Sequence, residues 1–300
     1  MAEAQLSKGT LFDEKLVTEV ISKVKGHSSI AKLSPQKPIP FNGQKEFTFD
    51  FDSDIDIVAE NGKKSHGGVT LEPVTIVPLK VEYGARVSDE FLYASEEAKI
   101  DMLSDFTDGF AKKLARGLDI MSFHGINPRT KQASAIIGDN CFDKKVTQTV
   151  NFTEGDPDGN MEDAVGLIDG SERDITGAIL DPIFTTALSK LKNAEGGKLY
   201  PDLAWGGVPD TINGLKVDKN RTTSYSMTDP KDVAIVGDFE TMFKWGYAKE
   251  VPMEIIKYGD PDNTGRDLKG YNQVYIRCEA YIGWGIMDAD SFARIVKVGG

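Results

Sequence analysis

Four aspartates at alternate positions, Asp50, Asp52, Asp54 and Asp56, form a dense set of metal-binding or salt-bridging groups. Residues two apart on a strand share a face, so the spacing predicts a negative ladder able to meet a cation or a basic protein surface. A calcium loop starting at Asp50 needs Gly at its sixth position and Glu at its twelfth, where the chain has Ile55 and Asn61. The ladder therefore reads either as a solvated strand face or as a contact with a basic surface on another subunit, such as one bearing Lys112, Lys113 and Arg116. Asp156, Asp158, Asp260 and Asp262 lie in turn-like sequences, where aspartate is favoured for local backbone hydrogen bonding, and a metal site there is the lesser reading. His27, His66 and His124 are far apart and lack ligand-spaced partners, which supports neither zinc nor a catalytic triad. Gly196-Gly197-Lys198 is not a phosphate loop, because Lys192 stands where its first Gly belongs and Leu199 replaces the hydroxyl. No nucleophile elbow or dinucleotide fingerprint is present. No residue is singled out as catalytic, cofactor-binding or metal-binding.

Gln44 to Ile57 alternates over most of its length, with Phe47, Phe49, Phe51, Ile55 and Ile57 on one face, which predicts a strand. A tip bearing Lys63 and Lys64 follows, then a second β-rich run from Val69 to Val87, so the pair reads as a long hairpin. The tip lysines read as solvated charges that discourage edge pairing, or as a docking point for a neighbour. Pro73 and Pro78 suit edge positions. A hairpin of this kind is marginal alone and needs something to pack on.

From Ser95 to Met121 the apolar residues Ile100, Leu103, Phe106, Phe110, Leu114, Leu118 and Met121 step by three or four. Lys99, Asp101, Asp105, Asp108, Lys112, Lys113 and Asp119 fall between them, which predicts one amphipathic helix roughly 40 Å long. Such a rod suggests a spine on which other elements hang, despite Gly109 and Gly117. Further on, the pattern predicts a turn region from His124 to Gly138, mixed α/β structure from Met161 to Asn193 with a helix from Pro182 to Lys192, and a two-residue hairpin at Asn213-Gly214. A strand VAIVGDF, a helix-like ETMFKWGYA, a β segment from Val251 to Tyr258, an acidic loop GDPDNTGRD and a β run from Tyr271 to Met287 complete the chain. An amphipathic stretch from Leu11 to Val24 precedes the prolines at 35, 38 and 40 and reads as an arm.

Composition bounds the function. With 300 residues and 40% hydrophobic content the chain can bury one large core or two moderate ones. A net charge of -12 and a pI near 4.8 argue against gripping nucleic acid; charge alone reads first as solubility, and it does not exclude a container that holds nucleic acid without adhesion. Cys141 and Cys278 read as reduced thiols, and no apolar run reaches membrane length. The first residues lack a secretory or transit composition, so cytosolic synthesis is expected.

VAIVGDFETMFKWGY, Val233 to Tyr247, and YNQVYIRCEAYIGWGIMDADSFARI, Tyr271 to Ile295, resemble the C-terminal part of tailed-bacteriophage major capsid proteins. The Gly237-Asp238-Phe239 turn, Arg277 and the closing Asp290 to Ile295 carry the likeness, with FHGINPRTKQASAII, Phe123 to Ile137, and INGLKV, Ile212 to Val217. The resemblance implies an α+β fold of the Hong Kong-phage type. Its expected parts are an N-terminal arm (1–40), an extended loop (41–85), a peripheral domain carrying the spine helix (86–160 and 240–282) and an axial domain (161–239 and 283–300) whose loops meet at capsomer centres. The function it implies is that of a structural virion subunit, neither enzyme nor cofactor carrier. Such a subunit self-assembles as hexamers and pentamers into an icosahedral head that encloses DNA without sequence-specific binding. Scaffolding, portal and decoration proteins are its expected partners, membranes are not, and assembly is expected in the host cytoplasm, with any scaffold a separate protein or already removed. Some relatives crosslink subunits through a loop lysine; Lys63 and Lys64 stand suitably, with no matching partner assigned. An encapsulin-like nanocompartment shell shares this expected fold, and a metal-dependent soluble enzyme is the alternative from another class. Inter-subunit contact is expected at Asp50, Asp52, Asp54, Asp56, Lys63, Lys64, Lys112, Lys113 and Arg116.

Overall fold

A computed structural model of the chain describes residues 28–51, 53–90, 96–225, 229–249 and 253–299, with backbone alone for 49–51 and 96–102. The amphipathic stretch at 11–24 lies outside these residues. In chain order the elements are α1 (Ser29–Leu33), β1 (Gln44–Phe51), β2 (Val69–Ile76), β3 (Leu79–Ser88), α2 (Glu96–His124), α3 (Phe142–Lys145), β4 (Thr149–Asn151) and α4 (Pro157–Gly170). There follow β5 (Gly177–Leu180), α5 (Pro182–Lys190), β6 (Thr211–Ile212), β7 (Leu215–Lys219), β8 (Lys231–Gly237), β9 (Phe243–Lys249), β10 (Met253–Ile256), β11 (Gln273–Ile286) and β12 (Phe292–Lys297).

The expected hairpin forms, but it is shorter than its alternation suggests. β1 and β2 pair antiparallel from Gln44↔Ile76 to Phe51↔Val69. The strand ends at Phe51, so Asp54 and Asp56 do not continue a ladder; they stand in the exposed, irregular tip. The second β-rich run breaks at Val77-Pro78, because proline lacks the N–H that a ladder needs. Beyond the break β3 leaves the hairpin and pairs with β11 from Leu79↔Ile282 to Ser88↔Gln273. On its other edge β11 carries β10 and then β9.

β9 corrects the sequence expectation of a helix over ETMFKWGYA. Phe243, Trp245 and Tyr247 are all buried at strand spacing, and the pull of these aromatic residues into the core overrides the helix-forming Glu240, Met242 and Ala248. A second sheet has the order β4-β12-β8-β5-β7-β6. Its two faces separate by strand alternation. Ala178, Leu180, Val236, Ala293 and Ile295 pack under α4 and α5 with Phe184 and Leu188. Ile179, Ile235 and Phe292 face the spine α2 through Leu114, Leu118 and Met121. Between sheet and spine sits an aromatic cluster in which Phe142 meets Phe292 edge-on at 5.1 Å and stacks on Phe243 at 5.6 Å.

The segment after α1 is strapped to this core by main-chain bonds. Lys37 N donates to Trp245 O at 2.9 Å and Ile39 N to Tyr247 O at 3.1 Å, while Trp245 Nε1 donates to Ser34 O at 3.0 Å. The approach requires glycine at 246, since a Cβ there would lie 1.6 Å from Lys37 O. Gly246→Ala should therefore lift residues 35–40 off β9 and cost about 2–3 kcal/mol, read as a lowered urea midpoint and faster hydrogen exchange at Lys37 and Ile39.

Candidate functional site

The hairpin is the part of the molecule that its own chain leaves uncovered. Phe47 is 54% exposed and Leu71 51%, while Ile55 and Ile57 at the tip are 98% and 95% exposed. Among the described residues the base is anchored, by Ile76 packed with Ile39 and Met287, and by Lys244 reaching Glu46 at 2.6 Å. Asp50 is placed by its backbone opposite Thr70, and Asp52 lies outside the described residues. Lys63 and Lys64 are exposed in the tip, which turns through Asn61 at a φ of 68° and a Gly62 N–H to Ala59 O bond of 2.8 Å. Lys112, Lys113 and Arg116 share the exposed side of α2, with the Arg116 guanidinium 5.3 Å above the Tyr225 ring. Among the described residues, Asp54 and Asp56 form no ion pair with these three cations within one chain. By contrast, the described part of the spine from Leu103 onward buries most of its apolar stripe in its own chain, whereas the hairpin leaves several large apolar residues uncovered on one thin element.

The turn aspartates each have a local task. Asp156 caps α4 by accepting from Gly159 N at 3.1 Å, and Asp158 accepts from the Tyr200 hydroxyl at 2.5 Å. Asp260 and Asp262 close on Arg86 of β3.

The sequence reading missed a buried polar junction at the end of the spine. Asp119, assigned there to the polar side of the helix, is fully buried. Its carboxyl accepts from Ser28 Oγ and Asn220 Nδ2, from Ser29 N at 3.1 Å and from Ile30 N at 3.4 Å. Burial pushes this carboxyl up to about 7 against the pull of those donors. One and a half turns on, His124 places Nδ1 2.9 Å from Asp143 and Nε2 2.9 Å from Thr222 O. Burial opposes a charged ring, but the Asp143 hydrogen bond and charge prevail and raise His124 above its ordinary value. Asp143 also meets Arg294 at 2.9 Å, and Arg294 reaches Asp232 at 3.2 Å. Burial pushes Asp232 up to about 7 despite that guanidinium.

Ligand atoms of His124, Asp143 and Asp232 lie within 4.8 Å of one another, a geometry that could hold a metal. Arg294 already supplies the positive charge between the two carboxylates, so the cluster reads as an ion network tying α2, α3, β8 and β12 together. The signal for this junction was in the sequence. From Leu118 to Ile126 the helix end and its following turn are apolar almost all round, the mark of a buried segment, so the ionisable residues inside it must be paired.

Asp119→Ala should orphan a hydroxyl, an amide and two backbone N–H groups and cost about 3 kcal/mol or more in urea unfolding. The pH dependence has a definite sign. Asp119 titrates near 3.8 when unfolded and about 7 when folded, so between these values the folded chain keeps a proton that the unfolded chain has released. His124 acts in the same direction, because its contribution is lost as pH rises through its elevated folded value. Stability should therefore fall as pH rises from about 4 to about 7, and Asp119→Asn should flatten that slope.

Comparison with known proteins agrees with this architecture. The family model described as the phage capsid family matches residues 8–297. A solved structure from Mycobacterium phage Ogopogo is 32% identical with a TM-score of 0.78, covering 91% of this chain and 92% of that one. One from Gordonia phage Cozz is 22% identical with a TM-score of 0.75, covering 91% and 87%. A structure titled as the capsid of an empty GTA particle computed with C5 symmetry shares the fold at 14% identity and a TM-score of 0.63, covering 91% and 90%. No curated protein matches the chain. With an uncovered hairpin, a long spine helix and two sheets in this arrangement, and a family match running almost end to end, the chain belongs to the phage capsid family.

Proposed function

We propose that this capsid subunit builds its shell by laying the β1–β2 hairpin over a neighbouring copy, in hexamers and pentamers that close into an icosahedral head. The chain is a structural component of the virion. The observation that carries the hairpin reading is the exposure of Ile55 and Ile57 beside Phe47 and Leu71 on a thin two-stranded element. A ribbon of this kind gains little stability alone and buries its apolar residues only against another molecule. Asp50, Asp52, Asp54 and Asp56 would face basic residues of the neighbour, with Lys112, Lys113 and Arg116 as the complementary set, and Lys63 and Lys64 would dock at the tip. In this reading the arm is 1–40, the extended loop 41–85, the peripheral domain 86–160 with 240–282, and the axial domain 161–239 with 283–300. The subunit works without catalysis or cofactor, and is assembled in the host cytoplasm with scaffolding, portal and decoration proteins. Its net charge of -12 suits a wall that encloses DNA without adhering to it.

Deleting residues 58–68 tests the hairpin directly. Far-UV circular dichroism and the unfolding midpoint of the subunit should stay close to those of the full chain, while negative-stain electron microscopy should show loss of closed shells. Normal particles from the deleted chain would refute the hairpin reading. Asp52→Lys combined with Asp54→Lys should lower the yield of shells, most strongly at low salt; unchanged assembly would remove these aspartates from the contact.

A further inference from the structure

The loop between β10 and β11 follows a calcium loop over its first seven positions and already contains a cation. Counting from Asp260, positions one, three and five are Asp260, Asp262 and Thr264, position six is Gly265 with φ +78°, and position seven is Arg266. In a calcium loop of the helix-loop-helix kind those positions supply two carboxylates, a further side-chain oxygen, the glycine turn and a main-chain carbonyl. Here the same four oxygens converge on one atom, Nη2 of Arg86. It lies 2.6 Å from Asp260 Oδ1, 2.5 Å from Asp262 Oδ1, 2.7 Å from Thr264 Oγ1 and 2.8 Å from Arg266 O. The guanidinium comes from β3, 174 positions before Asp260. It is held from its other side by Nε to Asp262 Oδ2 at 2.9 Å and Nη1 to Gln273 Oε1 at 3.2 Å.

One departure from the calcium pattern fixes which cation suits the site. The twelfth position, which would supply a bidentate glutamate, is Tyr271. Asp267 is engaged at the two ends of the loop instead, its carboxylate accepting from Gly259 N at 3.0 Å and Gly270 N at 3.2 Å. Two carboxylates and four oxygens are few for calcium, which takes six to eight, but they suit a singly charged guanidinium of fixed fork geometry.

We propose that residues 260–266 form a calcium-type cation loop whose ion position is occupied by the Arg86 guanidinium, so that removing this group opens a low-affinity divalent-cation site. The loop is thereby fixed to β3, the strand that continues from the hairpin, without dependence on any ion in solution. The neighbouring tyrosines supply a readout, since Tyr275 is the cross-strand partner of Arg86.

The test is a terbium titration of the full-length subunit, following tyrosine-sensitised emission, for wild type, Arg86→Gln, and Arg86→Gln combined with Asp262→Asn. Arg86→Gln should emit roughly tenfold more than wild type and lose the signal to millimolar calcium, while the double variant stays dark. A folded Arg86→Gln that stays dark would overturn the proposal, and so would a wild type as bright as the variant. If Arg86→Gln does not fold in chelator, calcium should restore its far-UV circular dichroism but not that of the double variant; failure of that rescue would equally overturn it.

Discussion

The end of the spine helix buries two ionisable side chains five residues apart, and much of the molecule is arranged to satisfy them. Asp119 gathers α1 and Asn220; His124 gathers α3, Thr222 and, through Asp143 and Arg294, the strands β8 and β12. Both reach the stretch 220–222 after β7, so the spine, α1 and the six-stranded sheet share one polar joint inside an apolar surround. Leaving any one of these groups without its partner costs more than a surface pair would, because no water can replace it. The joint therefore specifies how the sheet sits on the spine, and the aromatic cluster around Phe142 fills the space which that alignment leaves.

Such a joint suits a subunit whose outer parts are uncovered. The hairpin presents apolar residues that the chain does not bury, and among the described residues it is anchored at its base. Among the described residues the remainder is packed mainly as two cores on either face of the six-stranded sheet, one shared with the spine and β11 and one beneath α4 and α5, with a smaller cluster of Leu103, Val274 and Ile276. A capsid subunit that adapts at its edges needs a body that holds its shape, and the division between uncovered ribbon and well-packed body fits that need.

The order of elements was largely legible because most of them have clean periodicity. The hairpin, the spine, the Asn213-Gly214 turn with φ values of 50° and 88°, and the long strand β11 were all readable from spacing alone. Where the reading failed, tertiary packing had overruled a local preference. Phe243, Trp245 and Tyr247 were written at strand spacing among helix formers, and the core decided in favour of the strand. The aspartate ladder was over-extended because alternation continues past Phe51 while pairing does not; the partner strand begins at Val69 and nothing lies opposite Asp54. The ion networks were invisible for a different reason. Asp119 and Asn220, or Arg86 and Asp262, are separated by most of a domain in sequence, and only the fold brings them together.

The path from hairpin to body also has a mechanical meaning. β2 passes through Val77-Pro78 directly into β3, and β3 lies antiparallel to β11 from Leu79 to Ser88. A neighbour that tugs the hairpin therefore loads β3 along its own axis, and the hydrogen bonds to β11 resist together in shear instead of opening one after another. The Arg86 guanidinium, set near the far end of that strand, works like a knot behind the seam. The thinnest element of the subunit thus runs directly into a strand that is paired along its whole length with the longest strand described.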